Sequence, residues 1–196
     1  PTVGHQGDAR RALATLDRWG VVPPAAVTAF LKAGGDPVYP DDARLARVEN
    51  RVISAPSQSL AAAAELARAA GCRVDVLGDA LEGEAREVAQ AHALKALEAQ
   101  KSLAPGDAPV MFLSGGELTV TRRGDGIGGP NAEYCLALAH ALKGAQGVHA
   151  IACDTDGVDG AAEVAGALVA PNVYERAAQA GQNLENALDR NDAHGF

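Results

Sequence analysis

Aromatic side chains are scarce in this 196-residue chain, at 4% of the total, although 47% of residues are hydrophobic. A core must therefore be built mainly from Ala, Leu and Val. Basic residues are also in short supply. A net charge of −8 and a pI near 5.0 argue against nucleic acid or an anionic membrane as a partner, so any anion must be bound locally. The only cysteines, Cys72, Cys135 and Cys153, share no disulfide or metal-type spacing and read as reduced, buried thiols of a cytoplasmic protein. No signal peptide is visible, and no apolar run is long enough to span a bilayer. The chain opens on Pro1 rather than Met, which suggests a fragment or a processed product.

What the sequence does have is glycine at chosen places. Val110 to Leu113 reads as a buried strand that ends in Ser114-Gly115-Gly116, where the backbone can turn and approach a ligand closely. Glu117 to Thr121 alternates polar and apolar like a half-buried strand. A second glycine cluster follows, Gly124 to Gly129, with Pro130 at a first helical position. Strand ends and a helix start lined with glycine suit a phosphate or carboxylate.

The length allows one large domain or two small ones. In chain order, after an irregular lead over residues 1–7, Asp8 is placed to cap a helix to about Trp19, and Gly20 to stop it. Pro23-Pro24 opens a second helix, Ala25 to Ala33, closed by Gly34-Gly35. Arg51 to Ala55 is a strand candidate. Ser57 or Ser59 would cap an alanine-rich helix to Ala70, and Arg73 to Leu77 is the next strand, completing a parallel crossover. A long helix is expected from Leu81 to about Ser102. Pro105-Gly106-Asp107 marks a domain boundary, giving segments 1–105 and 106–196. Ala132 to Leu142 is apolar around most of its circumference and should be a buried helix. Val148 to Cys153 is an apolar strand, Ala161 to Ala170 is small and apolar, and helices near 173–181 and 184–188 follow. Alternating strands and helices indicate an α/β fold, a three-layer α/β/α arrangement with a largely parallel or mixed sheet.

Several constellations carry candidate chemistry. Gly124-x-Gly126-x-x-Gly129 matches the dinucleotide fingerprint, with Asp154 ending the next strand. It reads first as a flexible turn, next as a phosphate or substrate loop and last as an NAD site, because the alternating strand before it is not the doubly buried strand of a central Rossmann sheet. Asp154, Asp156 and Asp159 crowd three carboxylates at a strand end, an oxygen density that suits Mg²⁺ or a solvated acidic turn. Ser114 is not in a nucleophile elbow, because Leu113 precedes it, and a backbone anion nest fits better. Glu117 could bind metal or a hydroxyl. Asn131 could bind a ligand or cap its helix. His149 and His194 read as structural.

Taken together, Ser-Gly-Gly-Glu at 114–117, Gly-Gly-Pro-Asn-Ala-Glu at 128–133, Asp-Thr-Asp-Gly-Val-Asp-Gly at 154–160 and Asn-Asp-Ala-His-Gly-Phe at 191–196 resemble the MOFRL-type (class II) glycerate 2-kinases, often labelled hydroxypyruvate reductases. The resemblance runs along nearly the whole chain, including residues 1–3 and 51–92. It implies ATP-dependent phosphorylation of D-glycerate to 2-phosphoglycerate in a cleft between two domains. It also implies that an N-terminal half, with a Ser-Gly-Gly-Gly-Ser segment and an active-site lysine, and a Thr-Gly-Pro-Thr-type loop past Phe196 lie outside this sequence. The isolated chain is therefore expected to be inactive. Ile127 and Pro130 stand where many members carry arginine.

On that resemblance Ser114, Gly115 and Gly116 offer amides to a phosphate or carboxylate, and Gly128, Gly129, Glu133 and Asn191 join them in substrate or nucleotide binding. Asn131 orients substrate. Glu117, Asp154 and Asp156 hold Mg²⁺. Asp192 or Asp159 accepts the hydroxyl proton, and Arg122 or Arg123 supplies positive charge. The implied partners are D-glycerate, ATP, the N-terminal half of the same protein and a second copy in a homodimer. Two competing functions are an NAD(P)H-dependent hydroxypyruvate reductase and a non-catalytic regulatory or oligomerisation module.

Overall fold

Local signals set most of the helix ends in the computed structural model, which describes residues 3–161 and 163–196. Pro1 and Thr2 of the irregular lead, and Ala162 of the small apolar stretch, lie outside the described residues. By backbone contact the chain divides between Ser54 and Ala55 into two compact units. In the first, Asp8 accepts the Arg11 amide at 2.9 Å and opens α1, Ala9–Arg18, and Gly20 at φ 62° closes it. Helix α2, Ala25–Lys32, follows Pro24 and ends before Gly34 and Gly35, both at positive φ. The strand expected at 51–55 is absent. Val52 and Ile53 are 83% and 89% exposed and pair with no strand, and an extended segment without a ladder is not a strand.

The second unit begins with α3, Pro56–Ala69, with proline in its first turn. Neither Ser57 nor Ser59 caps it; the Gln58 side chain accepts the Ala55 amide at 3.2 Å instead. Strand β1, Arg73–Glu84, pairs in parallel with β2, Val110–Thr119, and α4, Ala85–Lys101, is the crossover between them. The loop Pro105-Gly106-Asp107 joins α4 to β2 within this unit. Lys95 on α4 reaches Asp75 at 3.2 Å and lies 5.2 Å from the Phe112 ring centre. Pro56 and Leu60 of α3 instead lie over Gly115. Phe112 and Gly115 are on opposite faces by strand alternation, so α3 and α4 enclose the sheet as the three-layer reading requires.

Helix α5, Pro130–Leu142, is the centre of this unit. It packs on α4, on the antiparallel pair β3, Ala150–Cys153, and β4, Gly166–Val169, and on α7, Leu184–Asp189. Helix α6, Val173–Gln179, completes the unit. Leu136, Leu138 and Leu142 are all at most 6% exposed, and each contributes about 1.5–3 kcal/mol by leaving water. The α/β class is as expected, but the strands form two separate two-stranded sheets, one parallel and one antiparallel.

The largest departure from the sequence reading is at residues 77–84 and 114–119. β1 runs on to Glu84, so α4 starts four residues later than Leu81. β2 passes straight through Ser114-Gly115-Gly116 without turning. Long-range pairing overrides local preference here. Gly116, at φ 152°, lies so close to Leu81 that a Cβ would stand 2.1 Å from the Leu81 carbonyl oxygen. Glycine serves strand-to-strand approach at this point, where the sequence suggests approach to a ligand.

Candidate functional site

Between β2 and α5 the chain runs from Val120 to Gly129 without helix or strand. It is nonetheless held along its length. The Glu84 carboxylate accepts the Thr121 amide at 3.0 and 3.1 Å and its hydroxyl at 2.8 Å. Asn191 Oδ1 accepts the amides of Arg123 at 2.6 Å and Gly124 at 3.0 Å. Gly126 donates its amide to the Arg190 carbonyl at 2.8 Å, and Asp192 Oδ1 accepts the Ile127 amide at 3.1 Å. His194 donates back to the Ile127 carbonyl at 2.9 Å. A Cβ on Gly124 or Gly126 would stand 2.4 Å from Arg190 or Asp192. The fingerprint glycines therefore let this loop lie against residues 190–194.

The far end of the loop is held by Asp159. Its carboxylate accepts the Asn131 amide at 2.9 Å, the Asn131 Nδ2 at 3.1 Å and the Ala132 amide at 2.7 Å. These are first-turn amides of α5, the groups a dinucleotide fold gives to a pyrophosphate, and here the protein's own carboxylate fills them. Asp159 has no exposed surface, so it caps α5 and does not meet a substrate hydroxyl. A Cβ on Gly129 would stand 2.3 Å from the Asp159 backbone, which accounts for glycine at that position.

A buried polar network lies beneath. Glu133, 1% exposed, accepts from Arg86 Nε at 2.5 Å and from Asn191 Nδ2 at 3.2 Å. Arg86 also donates to the Leu188 carbonyl. Glu133 is thus an internal ion pair between α5 and α4 and is closed to ligand. Arg86 carries no signal in the sequence, because its partner is 47 residues away and the segment around it reads as an ordinary helix. Glu84 reads as an acidic residue near a helix start, and its role in holding Thr121 depends on a partner 37 residues away.

The remaining expected residues are spread out. Ser114 and Glu117 are exposed on β2, and Asp154 and Asp156 are exposed on the β3–β4 connection. Asp156 accepts the Val158 amide at 2.9 Å, an Asx turn. Among the described residues, no three His, Cys, Asp or Glu side chains converge where a metal ion could be held. Glu117, Asp154 and Asp156 therefore do not form the expected Mg²⁺ cluster within this chain. Arg122 donates to the Gly126 carbonyl at 3.2 Å, and the Arg123 side chain is exposed. Arg190 lies 3.8 Å from Asp125 and 3.7 Å from Asp192, and at 54% exposure these pairs add little stability.

The other titratable groups near α5 are structural. Burial pushes the Cys135 thiol up to about 11, and its Sγ donates to the Ala167 carbonyl at 3.3 Å. Burial likewise raises Tyr134 to about 12, and its hydroxyl lies 2.9 Å from His92 Nδ1. Burial, with help from Lys95, lowers His92 below its ordinary value.

The loop over residues 121–129 thus carries two guanidinium groups, Arg122 and Arg123, and lies beside the partly exposed carboxylate of Asp192 at the start of a buried helix. Residues 110–196 match the MOFRL family. A protein of Agrobacterium vitis named as a hydroxypyruvate reductase is 43% identical over 196 residues, 99% of this chain and 44% of its own length. A glycerate 2-kinase of Pyrococcus horikoshii is 30% identical over 95% of this chain and 43% of its own length. The crystal structure of a glycerate kinase from Thermotoga maritima superposes with a TM-score of 0.77 at 28% identity, covering 95% of this chain and 44% of that one. The resemblance read from the four motifs is thereby borne out. The chain spans about half the length of the curated relatives it matches.

Proposed function

We propose that this chain forms part of the active-site cleft of an ATP-dependent D-glycerate 2-kinase that yields 2-phosphoglycerate. The observation that carries the reading is the likeness over 95% of the chain to a solved glycerate kinase, joined to a loop, residues 121–129, whose backbone is held in place. Phosphoryl transfer requires positioning and charge neutralisation far more than covalent chemistry. Arg122 and Arg123 supply positive charge toward carboxylate or phosphate. Asp192, its side chain 24% exposed, stays within reach of ligand and accepts the proton of the 2-hydroxyl, since Asp159 is sealed beneath α5. Asn131 orients substrate through its side-chain oxygen, its Nδ2 being used on Asp159. ATP is the co-substrate, and Mg²⁺ accompanies it on ligands that this chain does not assemble alone. The segments 1–105 and 106–196 belong to the central and C-terminal parts of the kinase, which works in the cytoplasm as a homodimer. No helix among the described residues is long and apolar enough to cross a membrane.

The test is turnover by the polypeptide at the length of its relatives. D-Glycerate and Mg-ATP should give ADP and a product whose phosphorus signal couples to the C2 proton. No ADP from a folded protein would refute the kinase, and coupling to the C3 protons would refute the 2-position. The reductase reading is favoured by the names of two Agrobacterium vitis relatives and by the Gly124, Gly126 and Gly129 spacing. The Asp159 cap weighs against it, because the amides a dinucleotide would use are taken. Oxidation of NAD(P)H on adding hydroxypyruvate would restore that reading.

A further inference from the structure

The Asn191 side chain is 5% exposed in total residue surface and sits on a backbone with φ 51°, in the left-handed region. A side-chain amide has two lone pairs and two hydrogens to offer. All four are used: Oδ1 accepts from Arg123 N and Gly124 N, and Nδ2 donates to the Thr121 carbonyl at 3.4 Å and to Glu133 Oε1 at 3.2 Å. Nothing remains for a ligand. Glu133 is in turn fixed by Arg86 of α4, which also reaches the carbonyl of Leu188 in α7. The next residue, Asp192, takes the Ile127 amide. One turn at 191–192 thus holds both ends of residues 121–127, the segment that carries Arg122 and Arg123.

We propose that Asn191, itself anchored by the Arg86–Glu133 pair, is a positioning residue for phosphoryl transfer, fixing the loop that presents Arg122 and Arg123. This rests on the kinase reading. The side chain must accept two bonds on one side and donate two on the other, which a side-chain amide does and a carboxylate does not. Asn191→Asp keeps the acceptor but sets a carboxylate against Glu133. Asn191→Gly suits the left-handed backbone and removes the clamp without adding charge. In Asn191→Asp with Glu133→Gln the amide at 133 donates to the new carboxylate and the net charge is kept; both loop amides keep their acceptor, and only the Thr121 carbonyl loses its donor.

Two measurements test this. Amide exchange by NMR on the 196-residue chain should show about tenfold less protection at Arg123 and Gly124 in each single variant, with restoration in the double variant. α5 amides report whether the fold is intact. Turnover at the length of the relatives should fall about a hundredfold in the single variants, mainly in kcat, and recover in the double variant, because a misplaced group costs on that order. If protection is lost while turnover is intact, the proposal fails. It also fails if the double variant regains protection without turnover, or if both single variants stay protected. If the wild-type protein has no kinase activity, the function assigned above falls, while the exchange data still decide whether Asn191 clamps the loop. Where Asn191→Asp does not fold, Asn191→Gly and the double variant carry the test.

Discussion

Asp159 offers the sharpest perturbation. Its carboxylate is fully buried and accepts the Asn131 amide, the Asn131 side chain and the Ala132 amide at 2.7–3.1 Å. Asp159→Ala removes the cap of α5 and so leaves two of its first-turn amides without their acceptor. Stranding a buried donor costs about 1–3 kcal/mol, and water admitted to the vacated space keeps the effect at the low end. The expected loss is therefore about 3 kcal/mol, or a fall in Tm of about 6–12 °C at this chain length. Asp159→Asn should lose about 2 kcal/mol, because the oxygen retained still serves Asn131 while the new NH₂ faces a donor. Asp156→Ala, on an exposed turn of the same loop, should stay within about 0.5 kcal/mol. The assay is urea unfolding of the chain followed by far-ultraviolet circular dichroism. If Asp159→Ala matches wild type, or Asp156→Ala costs as much, the capping assignment is wrong. A variant Asp159→Asn that keeps full stability yet abolishes turnover would return Asp159 to the role of proton acceptor.

Gly116→Ala should destabilise by about 1–3 kcal/mol through overpacking, because its Cβ would collide with the Leu81 carbonyl. Gly71→Ala, in open space at φ 88°, bears only the backbone cost, about 1 kcal/mol; equal losses in urea unfolding would contradict the close strand contact. Iodoacetamide at pH 8 should modify exposed Cys153 quickly and spare Cys135, buried with a thiol pushed up to about 11, until the protein is denatured; peptide mass mapping of labelled native protein checks this. His92 is lowered in the folded state, so between its ordinary value near 6.5 and its folded value the unfolded chain binds the proton first. Stability should then fall as pH drops below about 6.5, with no contribution from His92 above it. The urea midpoint of His92→Gln should decline less over that window, and parallel curves would rule out the effect.

Much of the frame was legible because it rests on local rules. Asp8, Pro24, Gly20 and Gly34 mark helix ends through capping and backbone preference, and the apolar circumference of 132–142 announces a helix with no wet side. What lay beyond reach depended on partners distant in sequence. Residues 81–84 look helical, and only the ladder to Gly116–Thr119 makes them strand. The glycines at 124, 126 and 129 carry the correct message, close approach, but the sequence cannot say whether a ligand or the segment 190–194 approaches. Charge misled in a similar way. Asp159 shares a crowded loop with Asp154 and Asp156, yet it alone turns inward to meet amides 27 and 28 residues back. Glu133 and Asn191 were noticed for their place in motifs and prove to be each other's partners, with Arg86 as the unseen third member.

The surroundings of α5 constrain how the second unit can yield. A helix enclosed by α4, α7 and the β3–β4 hairpin has no side on which it can fray alone, since parting from one neighbour strands Glu133 and parting from another strands Cys135. Its amides should exchange only when the unit opens as a whole, so the slowest-exchanging protons report global unfolding.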